Sequence, residues 1–291
     1  MANTIELATK CVTMLDEVYK QSSKTMVLDS GSDIVTLTKD TGEFKIPKYD
    51  MDGLGDYSRT EGYAAGDVKL EWETKKPNYD RGRKFAVDAM DDEETAGVAF
   101  GKLSSEFIRT KVVPERDAVR FATYAGTAGI SKVAAGVTYA DGNAWLQGIV
   151  DAVNKMDEDE VSQENRILYI TPTGYNAIMA VDSYKSKEIL NGFTKVVKVP
   201  QSRFYTLIDL ADGTTGGETA GGYSKADGGK DINFMIIQKD AVIQYPKHTV
   251  NKVVSPEENQ TSDGWMFFFR AYGLNDVYEN KVAGIYLSHK A

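Results

Sequence analysis

Side chains able to do covalent or metal chemistry are few in this chain. It holds two histidines, His248 and His289, and one cysteine, Cys11. A Ser-His-Asp hydrolase would have to use one of those two histidines as its base. Neither a G-x-S-x-G elbow nor an H-E-x-x-H helix signature is present. A zinc centre needs several His, Cys or carboxylate ligands brought together, which this stock hardly supplies. The lone cysteine excludes an intrachain disulfide framework and fits a reducing compartment. Acidic residues are plentiful, Asp157 to Glu160 (DEDE) among them, but acid and base catalysis needs two carboxyls in different environments. A contiguous exposed run gives them one environment, so it reads as a solvated helix end. No catalytic residue, metal ligand or cofactor site is expected from these groups.

Two further features have compositions that could carry chemistry. Ala211 to Asp231 (ADGTTGGETAGGYSKADGGKD) holds seven glycines in 21 residues. A phosphate-cradling loop needs G-x-x-x-x-G-K-[ST], whereas Gly229-Lys230 is followed by Asp231, and Ser224 stands where the first glycine belongs. Gly97 to Leu103 (GVAFGKL) is one residue short and falls in a helical pattern. The glycine run therefore reads as a flexible surface loop. Trp265, Phe267 and Phe269 alternate along one face of a strand and Met266 and Phe268 along the other, which predicts a strand buried on both faces rather than a stacking box for a ligand.

Behind these residues stand the elements that must position them. At 291 residues, 42 % apolar and 26 % charged, the chain has ordinary globular proportions and enough length for a sizeable core. Its formal net charge of −9 argues against nucleic-acid binding as the main activity, because phosphate is gripped by basic surface. No run approaches the roughly 18 apolar residues of a membrane span. Ile5, Ala8, Val12, Leu15 and Tyr19 recur at steps of three and four, which predicts an amphipathic N-terminal helix. A polar, glycine-rich stretch follows and reads as an extended arm. Within it Gly42 to Asp50 (GEFKIPKYD) is a short strand with Pro47 confining it to an edge, and Asp52 to Asp67 is a loop.

Val68, Leu70 and Trp72, then Phe85, Val87 and Ala89, alternate on either side of Lys75-Lys76-Pro77-Asn78. This predicts a β-hairpin over 68–89. Its polar tip, Lys75, Lys76, Asp80, Arg81, Arg83 and Lys84, has no core partner within the segment. Asp91 to Glu94 form an acidic first turn suited to a helix dipole. Phe100, Leu103, Phe107, Pro114, Ala118, Phe121 and Ala125 then mark a long helix to about Tyr124, interrupted at Pro114. Beyond Asp141 come a helix (DGNAWLQGIVDAVNKM), a buried strand (RILYITP), a Thr-capped helix (TPTGYNAIMAVDSY) and five strand-like runs ending at KVAGIYL. The order predicts an α+β fold.

An arm, a charged hairpin without its own core, an acidic start (DAMDDEETAG) leading into a long helix ending VVPERDAVRFATYA, a strand-then-helix ILYITPTGYNAI and a terminal RAYGLNDVYENKVAGIYL together resemble the major capsid proteins of tailed bacteriophages, with the HK97-like fold. The resemblance covers nearly the whole chain. It implies an N-terminal arm (1–40), an E-loop (41–90), a P-domain with the spine helix (91–139 and 241–281) and an α/β A-domain (140–240 and 282–291). It implies a non-enzymatic role, self-assembly into hexamers and pentamers of an icosahedral head shell, and confinement of double-stranded DNA without specific contact. Implied partners are copies of itself, a separate scaffolding protein, a portal and a decoration protein, with assembly in the host bacterial cytoplasm and no membrane. Trp72, Lys75, Lys76, Arg81 and Arg83 are the implied intersubunit contacts. Some members cross-link through Lys, Asn and Glu; Lys75 and Lys76, with Asn259 near Glu257 and Glu258, are not selected by spacing, and no covalent chemistry is expected. Three rivals stay open: an encapsulin-like compartment, a small-molecule enzyme using the 211–231 loop, and a tail-tube subunit.

Overall fold

A computed structural model of the protein describes residues 21–29, 36–37, 43–60, 62–94, 102–133, 135–181 and 184–291. The expected N-terminal helix, Cys11 and Phe100 lie outside the described residues. Strands in chain order are β1 (Thr36–Leu37), β2 (Phe44–Met51), β3 (Val68–Lys75), β4 (Tyr79–Asp88), β5 (Ser131–Lys132), β6 (Arg166–Ile170), β7 (Lys195–Lys198), β8 (Ile208–Ala211), β9 (Gly222–Lys225), β10 (Ile232–Gln238), β11 (Val242–Val254), β12 (Gly264–Val277) and β13 (Ile285–His289). Helices are α1 (Ala89–Glu94), α2 (Leu103–Phe107), α3 (Val113–Gly126), α4 (Gly142–Glu158), α5 (Pro172–Ala180) and α6 (Tyr184–Asn191).

The body is a five-stranded mixed sheet, ordered β5-β13-β10-β6-β7, with β5 and β7 parallel to their neighbours. Both faces are covered, which is why β6 and β10 are buried at every position and read as continuous apolar runs. On one face Tyr169, Met235 and Leu287 pack with Phe121, Tyr124 and Ala125 of α3. On the other, Leu168, Ile170, Phe234 and Ile236 pack with Trp145, Ile149, Ala152 and Met156 of α4. The caps follow the sequence: Asp141 accepts from Ala144 N and Thr171 from Gly174 N. The acidic run after α4 is a helix end, with Asp157 paired to Arg166 and Asp159 to Lys155.

Beside the body, β11, β12 and β4 form a three-stranded antiparallel sheet. One side of it, with Tyr79, Phe267, Phe269 and Ala271 buried, takes the start of the long helix through Leu103, Phe107 and Val112. The expectation that β12 is buried on both faces is corrected here: Met266 and Phe268 are half-buried and Arg270 is exposed. Between α2 and α3 the helix runs through a π-turn, Ile108–Val112. Pro114 has no N–H to give the preceding turn, and the wider turn accommodates its ring, so the break falls where the proline predicts.

The predicted hairpin over 68–89 does not form. β3 pairs antiparallel with β2, Val68 opposite Met51 and Lys75 opposite Phe44, while β4 pairs with β12. Lys76 to Asn78 carry the chain from one sheet to the other, and Asn78 docks on β12 through hydrogen bonds to Asn275 O at 2.6 Å and from Asn275 N at 3.0 Å. Period-two alternation marks both strands correctly but says nothing about which partner each one takes. The real hairpin is β2–β3, and Pro47 lies in it opposite Trp72 of β3, its one strand partner among the described residues.

Candidate functional site

The β2–β3 register sorts the hairpin into two unlike faces. One carries Phe44, Ile46, Lys48 and Asp50 opposite Lys75, Glu73, Glu71 and Lys69. Its root is seated on the body, with Phe44 and Ile46 buried against Ile243 and Leu274. Ion pairs fasten the same root: Lys75 to Glu73 at 2.6 Å and to Asp276 at 3.1 Å, Lys48 to Glu279 at 3.2 Å, and Lys76 to Glu43 at 3.3 Å. Burial works against the Lys75 charge, but hydrogen bonds to Glu73 and Asp276 outweigh it and hold the ammonium above the ordinary lysine range.

The other face carries Pro47, Tyr49 and Met51 opposite Trp72, Leu70 and Val68. Tyr49, Met51, Val68 and Trp72 are 60, 64, 65 and 56 % exposed, and Leu70 is 46 % exposed. An aligned apolar stripe of this kind, uncovered by any described residue, differs from scattered exposed hydrophobics, which need no explanation. Past it, residues 52–67 close the hairpin through a paired bridge between Ser58 and Gly62 and a Tyr57–Tyr63 edge contact at 5.0 Å, with Leu54 fully exposed. Of the sequence-derived contact residues, Trp72 alone lies on the stripe. Pro47, Tyr49, Met51 and Leu70 join it through strand pairing; the spacing of Tyr49 and Met51 was the available signal.

The remaining expected residues lie elsewhere and have partners in their own chain. Arg81 and Arg83 are on β4, on the side facing the long helix, and do not form a hairpin tip. Arg81 Nε donates to Glu115 at 2.8 Å and its Nη2 to Gly222 O at 3.3 Å; Arg83 Nη2 donates to Thr219 O at 2.8 Å. Asp80 instead binds Arg270 across the other side of the sheet at 2.6 Å. These contacts bring the glycine-rich run onto β4, which explains a glycine at 213: its φ is +79°, and a Cβ there would stand 2.6 Å from Arg83 Nη1. Within the run expected as a loop, residues 212–221 do form a surface loop, which joins β8 to β9, and 222–225 are strand β9. Tyr223 donates from it to Ser202 O at 2.9 Å, and burial pushes that hydroxyl up to about 12. Asp231, just beyond, binds Lys225 and Lys290 at 2.8 and 3.0 Å, which keeps its carboxyl low despite burial.

Among the described residues no group of three or more His, Cys, Asp or Glu is placed to hold a metal, and no helix is long and apolar enough to cross a membrane. His248 lies exposed on β11, and His289 contacts the carbonyl of Lys290. Asn259 is engaged within its own loop by Ser262 and Gly264 O.

No family model and no curated protein matches the chain. Solved structures do. A Mycobacterium phage Che8 structure aligns with TM-score 0.65 at 11 % identity, over 99 % of this chain and 98 % of that one. The bacteriophage PhiM1 mature capsid aligns with TM-score 0.63 at 12 % identity, over 99 % and 92 %, and the capsid of cyanophage P-SCSP1u with TM-score 0.62 at 12 %, over 98 % and 93 %. At such identities the likeness speaks for the fold. This chain has the fold of phage capsid proteins.

Proposed function

We propose that the chain is the major capsid protein of a tailed bacteriophage, an HK97-like subunit that assembles without catalysis into hexamers and pentamers of an icosahedral shell around double-stranded DNA. The apolar stripe Pro47-Tyr49-Met51-Val68-Leu70-Trp72 carries this reading. A hairpin alone is marginal in water, and one whose apolar face lies bare in its own chain calls for cover from outside. In this reading a second copy provides it: β2–β3 is the E-loop, rooted through Phe44, Ile46 and Lys75 and laid by its free face on the neighbour. In this reading the stripe joins the intersubunit contacts expected of Trp72, Lys75, Lys76, Arg81 and Arg83, of which Lys75, Arg81 and Arg83 also have partners in their own chain. Net charge −9 suits a shell that confines DNA without gripping it. Scaffolding, portal and decoration proteins, and assembly in the host bacterial cytoplasm, follow from the same reading.

The test is to produce the chain with and without candidate scaffolding partners, then measure particle mass by light scattering and shape by negative-stain microscopy. Closed shells or discrete pentamers and hexamers are expected. A monomer under every condition would overturn the proposal, and open cylinders would replace it with a tail-tube subunit. Shells that retain a protein cargo and never DNA would turn it into an encapsulin-like compartment.

A further inference from the structure

Residues 21–29 lie in what the sequence presents as an extended arm, yet Thr25 and Leu28 are buried against the body. Asp117, on α3, is 0 % exposed and points at this segment. Its carboxylate accepts from Ser23 Oγ at 2.8 Å, Lys24 N at 2.9 Å, Thr25 N at 3.3 Å and Thr25 Oγ1 at 2.7 Å. Arg203, buried in the turn after β7, donates to Asp117 at 3.1 Å and to the carbonyls of Ser22 and Gln21 at 3.3 and 2.8 Å. Arg120, one turn along α3, donates to Thr25 Oγ1 and to Asp29, both at 2.8 Å, and to Asn275 of β12 at 3.0 Å. Below this polar row Leu28, 1 % exposed, enters the core beside Phe121 and Tyr124.

Three buried charges therefore converge on a short peptide, and their bonds to it divide evenly between its backbone (Gln21 O, Ser22 O, Lys24 N, Thr25 N) and its side chains (Ser23, Thr25 twice, Asp29). Without the segment, Asp117 would lose four of its five hydrogen bonds, and both guanidiniums would lose carbonyl or hydroxyl partners in a site shielded from water. Buried charge stripped of partners is strongly unfavourable. Partial release has the same defect, so the segment leaves as a unit or stays.

We propose that residues 21–29 are a latch and that Asp117, Arg120 and Arg203 are its socket. The latch joins α3, β12 and the turn at Arg203 through one peptide. Asp117 is a positioning residue here. Its consequence for arm placement in a shell rests on the capsid reading, but the latch itself does not.

Lys24 makes the latch testable, because its peptide bond is a trypsin site inside the docked segment and cutting it requires local opening. The full-length chain would be digested under native conditions and the N-terminal products weighed over time. Cleavage after Lys24 should be at least about tenfold faster in Asp117→Asn than in the unmodified chain, with cleavage elsewhere unchanged. The double variant Ser23→Ala, Thr25→Val alters the latch and spares the body, so it gives the same reading should Asp117→Asn not fold. Equal rates at Lys24 in the unmodified chain and in a folded variant would overturn the latch. If the unmodified chain never forms shells while Lys24 is protected, the capsid reading falls and the latch stands.

Discussion

Lys75 sits between Glu73 and Asp276 at the root of the β2–β3 hairpin, where it joins a projecting element to β12. Lys75→Glu should free the root, and Asp276→Lys should do the same; the double exchange should restore it, read as resistance of residues 44–75 to proteolysis. An interface role for Lys75 would not be rescued inside one chain. The pH dependence has a definite sign. A lysine whose folded pKa is raised contributes stability fully below its ordinary value, about 10.4, and loses that contribution as pH rises through the elevated folded value. A subtilisin titration across the lysine range should show the root opening at its alkaline end, and at higher pH still in Lys75→Arg, which stays charged. Arg81→Ala would leave the buried Glu115 carboxylate short of its cation and should lower stability by about 1–3 kcal/mol in denaturant unfolding. Arg83→Ala, which loses an exposed hydrogen bond to Thr219 O, should lower it by less than about 1 kcal/mol.

At the scale of elements, the helices and strands were largely legible in the sequence. Trp145, Ile149 and Val153 gave α4 its period, Thr171 marked the start of α5, and Pro114 located the break in the long helix. The glycine count of 211–231 marked the loop at 212–221 but hid the strand at 222–225, because glycine marks tight approach as well as freedom, and here Gly213 lets the loop settle against Arg83. Strand pairing was the larger gap: Val68 to Trp72 and Phe85 to Ala89 alternate equally well whether they pair with each other or with strands far along the chain. The hairpin prediction belongs at this scale. Trp72→Ala with Leu70→Ser changes exposed residues, so thermal unfolding of the isolated subunit should move by no more than about 0.5 kcal/mol, while particle formation in light scattering should be lost. Undiminished assembly by this variant would remove the stripe from the interface.

At the scale of the whole molecule, the proposed assembly rests on a covered α/β body, a sheet carrying the long helix and a bare-faced hairpin, and in that proposal copies of the chain cover the hairpin's open face. In such a shell, repetition would multiply contacts that are individually worth about 0 to 1 kcal/mol for exposed ion pairs and more for buried apolar area. The sequence by itself determined the scarcity of catalytic groups, the position of most helices and strands, and the order of parts that resembles phage capsid proteins, because composition and local periodicity act over a few residues. Only the tertiary structure decided that β3 belongs with β2 and β4 with β12, that Lys75, Arg81 and Arg83 are satisfied at home, and that residues 21–29 are held by Asp117. Those outcomes depend on contacts between residues as much as 231 positions apart, as Lys48 and Glu279 are. Hydrogen bonding and burial choose among such partners only when the whole chain is folded around them.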